Sequence, residues 1–198
     1  MSNLNGNIYG YTGLFPIKRD VDCSVLRANV RSLDSHPFGS PLSSIDIVHT
    51  ARLVIIDRLP FQGEPAKYDT LTSAYLLFAC NFDGSDIEEL VTAIATKIPD
   101  TFRSLWGSCV AVPAVSRDPA ARAELIEYFR RCQIRTTLFL VDQPGTTVKQ
   151  ILRSLALTRR FAAFVEQHQG EDPSIVQQRF EDMWQAFTAA PSPSPGSW

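Results

Sequence analysis

Residues 71–84, LTSAYLLFACNFDG, decide how the chain is read. The run from Leu71 to Phe82 is long, apolar and rich in aromatic side chains, which predicts a largely buried strand. Asp83-Gly84 turns the chain, and Ser85 with Glu88 three residues on forms a capping box that opens a helix. That helix carries Ile87, Leu90, Val91, Ile94 and Ile98 on one face. Pro99 interrupts it, and Thr101 to Trp106 add a second helical segment.

On the N-terminal side, Val48 to Leu59 (VHTARLVIIDRL) is the preceding strand, with 61–70 as the loop between the two. His36 to Ser44 (HPFGSPLSS) is dense in Pro, Gly and Ser and reads as a loop. Before it, Val25, Leu26, Val30 and Leu33 recur at helical spacing behind Asp22 or Ser24 as the cap. Ile8 to Lys18 (IYGYTGLFPIK) mixes aromatic and branched residues and forms the first strand. On the C-terminal side, Cys109 to Pro113 (CVAVP) is short enough for a fourth strand. The order β-α-β-β-α-β predicts an α+β protein with a ferredoxin-like split βαβ sandwich, an antiparallel sheet with helices on one face.

The core so read covers residues 1–113. Residues 114–189 form a C-terminal αβαα extension. Asp118-Pro119 opens a helix to about Arg131, and Arg135 to Val141 is a strand. Thr147 with Gln150 caps a long helix in which Val148, Ile151, Leu152, Leu155, Phe161, Phe164 and Val165 are apolar, and Asp172-Pro173 opens the last helix. The tail 190–198, rich in Pro and Ser, is expected to be disordered.

Composition bounds the function. The 198 residues carry a net charge of −2 at a pI of about 5.9, which argues against a nucleic-acid or anionic-membrane binder. No apolar run is long enough to span a bilayer, and the N-terminus has no basic or apolar leader, so a cytoplasmic location is expected. Cys23, Cys80, Cys109 and Cys132 are scattered without a metal-binding spacing, so no metal site is expected. Cys80 and Cys109 sit in apolar contexts that suit inert buried thiols.

No complete catalytic or cofactor motif is present, so candidate residues come from chemistry and placement. Imidazole is the side chain ordinarily suited to proton exchange near neutral pH, so His49 suits a general acid–base or a ligand, or equally a bond to a backbone carbonyl at the strand entrance. Strand alternation puts His49, Ala51 and Leu53 on one face, and Thr50, Arg52 and Val54 on the other. A buried Arg52 would need a carboxylate, with Asp83 or Asp57 as candidates, or would bind an anionic group of a ligand. Asp83 is a turn residue at a helix start or a third catalytic group. Tyr11, Tyr75 and Phe78 would line a pocket on the open sheet face that favours an apolar or aromatic molecule. His36 and His168 suggest no site. Lys149, Arg153, Arg159 and Arg160 make the long helix locally basic, and Gly145-Thr146-Thr147 offers helix N-terminal amides to an anion.

Two of these segments carry a resemblance. His49-Thr50-Ala51-Arg52 followed by an apolar run to Asp57 is similar to a His-Phe-Ala-Arg strand in a group of largely uncharacterised bacterial ferredoxin-like proteins, with Thr50 in place of the usual Phe. Leu76 to Gly84 resembles the strand of the same group that runs into Phe-Asp-Gly, and Thr12 to Lys18 fits as well. The wider architecture resembles the dimeric α+β barrel proteins, which implies a homo-oligomer, with homodimer as the first expectation, and an uncovered sheet face that closes over a ligand within one chain or across a dimer. Asn81-Phe82-Asp83-Gly84 resembles the distal Gly-x-x-Asp-Gly of the dye-decolorising peroxidases in that grouping, but Cys80 stands where its first Gly would be. That branch implies haem as one alternative cofactor; the residues themselves identify none.

The leading expectation is a small-molecule enzyme with a pocket on the sheet face, doing acid–base or oxidative chemistry on an apolar or aromatic substrate. His49 would be its acid–base, with Arg52 and Asp83 orienting the substrate. The alternative is a non-catalytic partner subunit that dimerises or docks an enzyme, with a haem-binding peroxidase-like protein as a third reading.

Overall fold

The structure is a computed structural model that describes residues 3–33, 39–61, 63–65, 71–116 and 118–195. The expected loops 36–44 and 61–70, the tail 190–198 and His36 therefore fall wholly or partly outside the described residues.

The chain is an α+β protein. Its sheet contains β1 (Leu4–Asn5), β2 (Ile8–Pro16), β3 (Val48–Ile56) and β4 (Tyr75–Asp83) in the order β1-β2-β4-β3. Both β2 and β3 run antiparallel to β4, so they are parallel to each other with β4 between them. β4 alternates strictly: Leu76, Phe78, Cys80 and Phe82 are buried, while Tyr75, Leu77, Ala79, Asn81 and Asp83 face the other way and are half-buried. Tyr11 and Phe15 of β2 share the buried face.

Helices cover that inner face. They are α1 (Cys23–Ser32), α2 (Ile87–Lys97), α3 (Pro99–Trp106) and α4 (Pro119–Cys132), and each gives buried residues to one core cluster. Asp22 caps α1, but Val25 points outward and only Leu26 of its apolar set is fully buried. The cap of α2 falls one residue later than expected: Asp86 accepts from Glu88 N, and the Glu89 carboxylate reaches back to Ser85 N. A carboxylate outcompetes the Ser85 hydroxyl for a helix amide. Phe129 of α4 sits at an aromatic hub, with ring centroids of Phe15, Trp106 and Tyr11 at 5.0, 5.9 and 5.9 Å. The core therefore continues past residue 113, through α4.

The two further strands do not form. At Cys109–Pro113 only Cys109 bridges to Ile17, and Val110 N donates to the Pro16 carbonyl. Ala111 then adopts φ 53°, which turns the chain off the edge. The outer edge of β2 is covered instead by three short segments in series. β1 takes one end, Gln133–Ile134 the middle and Ser108–Val110 the other end. With that edge occupied, 135–141 has no ladder to join. It drapes over the outer face, where Phe139 lies on Gly10; a Cβ at Gly10 would come within 2.7 Å of that ring. Leu138 and Leu140 on either side of it are exposed.

α5 (Val148–Gln167) and α6 (Pro173–Ala189) form an antiparallel pair outside the main core. Thr147 and Gln150 make the expected capping box, and Asp172 caps α6 ahead of Pro173. Phe164 and Phe161 of α5 meet Phe180 at 5.9 and 6.3 Å, and Arg153 and Arg160 lie over the Phe187 ring at 5.0 and 5.8 Å. Much of the expected basic stripe thus holds the helix pair together by cation–π contact. Among the described residues no helix is long and apolar enough to cross a membrane.

Candidate functional site

The site grows from an irregularity in β3. The ladder to β4 pairs Val48 with Phe82 and Thr50 with Asn81, so His49 is the extra residue of a β-bulge. The bulge resets the alternation. Ala51, Leu53 and Ile55 oppose the buried-face residues Cys80, Phe78 and Leu76, as expected for that face, but His49 no longer shares it. Its ring reaches Asp83, the last residue of β4, on the outer side of the sheet.

Asp83 uses both oxygens. His49 Nε2 lies 2.7 Å from Oδ1, and Val148 N, the first amide of α5, donates to Oδ2 at 2.8 Å. The two side chains are 14% and 15% exposed. An ionised carboxylate only accepts, so Nε2 carries the imidazole proton and Nδ1 is left as the basic atom. The positive end of the α5 dipole favours the anion at Asp83. Of the 145–147 turn, whose amides were expected to be open to an outside anion, Thr146 N donates to the Gln143 carbonyl and Thr147 N to the Gln150 side chain; Asp83 takes the next amide, Val148 N.

A groove of about 530 Å³ opens beside this pair. Its floor is the bulged end of β3 from Val48 to Ala51. One wall is Leu42 with Ser40 and Ser43, and the other is Val148, Ile151, Leu152, Leu155 and Arg159 of α5. The lining is mainly aliphatic with His49 as its titratable base, a composition that suits a small apolar ligand carrying one polar group.

Several expected site residues lie elsewhere. Tyr11 is a core residue: its hydroxyl donates to the Phe129 carbonyl at 2.9 Å, and burial pushes its pKa well above the usual range. Phe78 is fully buried and packs edge-on against Trp106 at 5.2 Å. Both point at the helices because they alternate with outer-face residues, not among them. Tyr75 is on the outer face, but at the opposite end of β4, about 27 Å along the strand from Asp83. Arg52 is exposed on the edge strand. Neither expected carboxylate holds it, since Asp83 is taken by His49 and Val148, and Asp57 pairs with Arg27 at 2.9 Å. His168 lies at the far end of α5 against Glu171 and Arg179.

The groove walls, Leu42 and the first turns of α5, were not anticipated. The Thr147–Gln150 box and the Ile151/Leu155 pair were visible in the sequence, but nothing local says which part of the sheet that helix start meets.

Among the described histidines, His49 has Nε2 committed to Asp83, and His168 is about 30 Å away along α5, so the two do not share a site for a haem iron. Among the described residues no group of three or more His, Cys, Asp and Glu could hold a metal ion. Burial pushes the thiols of Cys80 and Cys109 up to about 12, which removes them as nucleophiles. With a thiol reagent at about pH 8, these two are expected to stay unmodified in the folded chain and to react once urea unfolds it. Fast labelling of either in native buffer would contradict the packing described.

A scan against protein-family models, a search of curated proteins and a search of solved structures each found no match.

Proposed function

We propose that the chain binds a small apolar or aromatic molecule in the groove beside β3 and that His49 exchanges a proton with it. The observation that carries this is the Asp83 carboxylate. It holds His49 on one oxygen and the first amide of α5 on the other, which fixes the ring at the groove wall in one tautomer. A base oriented by a carboxylate and bordered by aliphatic side chains is the arrangement general acid–base chemistry needs. Under this reading Asp83 positions His49 and does not touch the ligand, and Arg52 has no part. The parallel β2 and β3 flanking β4 support the ferredoxin-like reading of the sheet, with short segments in place of its fourth strand.

The test is a screen of small aromatic and aliphatic compounds by ligand-observed NMR, repeated on His49→Ala and Arg52→Ala. Compounds that bind the native chain should lose about tenfold in affinity or more on His49→Ala, an effect of about 1.4 kcal/mol, and keep it on Arg52→Ala. Equal binding to the native chain and His49→Ala would refute the assignment.

A second reading, a homo-oligomeric partner subunit, is favoured by one observation. Ile151, Leu155, Phe161 and Val165 form a single stripe on α5 and are 38–50% exposed, and Phe161 continues through Phe180 to exposed Trp184 of α6.

A further inference from the structure

The end of the chain closes back on the groove. Arg153 fixes the last turn of α6 to α5 through its contact with the Phe187 ring and a bond from its guanidinium to the Thr188 carbonyl at 3.3 Å. Because α6 runs antiparallel to α5, this delivers the chain to the start of α5, where Asp83 and His49 lie. From Ala190 the segment crosses a depression lined by Asp46, Ile47, Asp83, Thr147 and Lys149, and its Pro195 reaches the edge of the His49 groove. Ser192, Pro193 and Pro195 are half-buried there.

The sequence suits a strap more than a packed element. Pro191, Ser192, Pro193, Ser194 and Pro195 alternate rigid and small residues, which favours polyproline II, about 15 Å long for five residues and without internal hydrogen bonds. Proline also lowers the entropy lost when such a segment is held in place. No residue of it belongs to the core cluster, so lifting it leaves the sheet and its helices packed.

We propose that residues 191–195 are a removable outer wall of the groove, which decides which molecules reach His49 and how often. A ligand must displace or accommodate the strap at Pro195, so bulky ligands bind with an affinity reduced by the fraction of time the strap is open. The proposal rests on the groove being a ligand site, but its test reads access to His49 directly and uses no ligand.

The experiment is carbethoxylation of histidine by diethyl pyrocarbonate, followed residue by residue by mass spectrometry. His168 is a matched control, because its side chain is 15% exposed against 14% for His49 and lies at the other end of α5. In a chain ending at Ala190, His49 is expected to react roughly tenfold faster than in the full chain, with His168 unchanged. If the truncation also accelerates His168, the helix pair has loosened. The reading then passes to the full-length variant Pro191→Gly, Pro193→Gly, Pro195→Gly, in which His49 should still react several-fold faster, at an unaltered His168 rate. A His49 rate equal to that of the native chain in whichever variant keeps His168 unchanged overturns the proposal. Loss of ligand binding in His49→Ala together with an unchanged His49 rate would keep the ligand site and discard the strap.

Discussion

Phe129→Ala is expected to cost about 3–5 kcal/mol of folding stability, measured by urea unfolding, and to lower the melting temperature correspondingly. Phe129 is fully buried in the fourth helix, at the point where that helix meets both the sheet and the third helix. Its ring lies within 6.3 Å, centroid to centroid, of Tyr11, Phe15, Phe102, Trp106 and Tyr128. Truncation leaves a cavity bordered by rings that are themselves held by the strands on one side and helices on the other, so collapse around it is limited. Leu138→Ala, at a site 73% exposed, is the control and should change stability by no more than about 0.5 kcal/mol. A loss below about 1 kcal/mol for Phe129→Ala would mean that the fourth helix is an appendage and that the core ends before it.

The protein is also expected to lose stability steeply in alkali. Cys80 and Cys109 are held up to about 12 from an ordinary 9.0 by burial, and Tyr11 and Tyr128 are raised as well, with burial the first cause in each. These groups keep their protons in the folded chain where the unfolded chain releases them. The unfolded state therefore binds fewer protons above about pH 9, and stability falls as pH rises from there towards 12. Each buried thiol contributes a slope of about 1.4 kcal/mol per pH unit, so the two together remove on the order of 5 kcal/mol by about pH 11. The tyrosines steepen the fall above about pH 10. Denaturant midpoints measured from neutral to alkaline pH should be level and then drop, and Cys80→Ala with Cys109→Ala should flatten the drop. A midpoint that is constant to about pH 11 would contradict the burial of these groups.

Much of the fold can be read locally. The strands at Ile8–Pro16, Val48–Ile56 and Tyr75–Asp83 announce themselves by aromatic and branched runs, the second helix by its apolar spacing, and the fourth, fifth and last helices by their caps. What cannot be read locally is decided by competition for partners. The run 109–113 has strand composition, but Ala111 turns it away. The run 135–141 is rich in Thr, Leu, Phe and Val but finds the sheet edge already taken by 133–134. The candidate site divides in the same way. His49 and Asp83 were legible as chemistry, and their adjacency followed from the strand order. The bulge that rotates His49 away from the face of Ala51 depends on where the Val48–Phe82 and Thr50–Asn81 pairs fall. The bond from Val148 to Asp83 joins residues 65 apart, which no local pattern encodes.

The central claim is that His49, fixed by Asp83, borders the ligand in the groove. The most direct test is the long-range proton–nitrogen NMR spectrum of the His49 imidazole, recorded free and saturated with a compound from the screen. The expected result is a proton on Nε2, facing Asp83, and an Nδ1 resonance that moves on saturation. An Nδ1–H tautomer in the free protein, or an Nδ1 resonance that stays in place when the compound is bound, would contradict it.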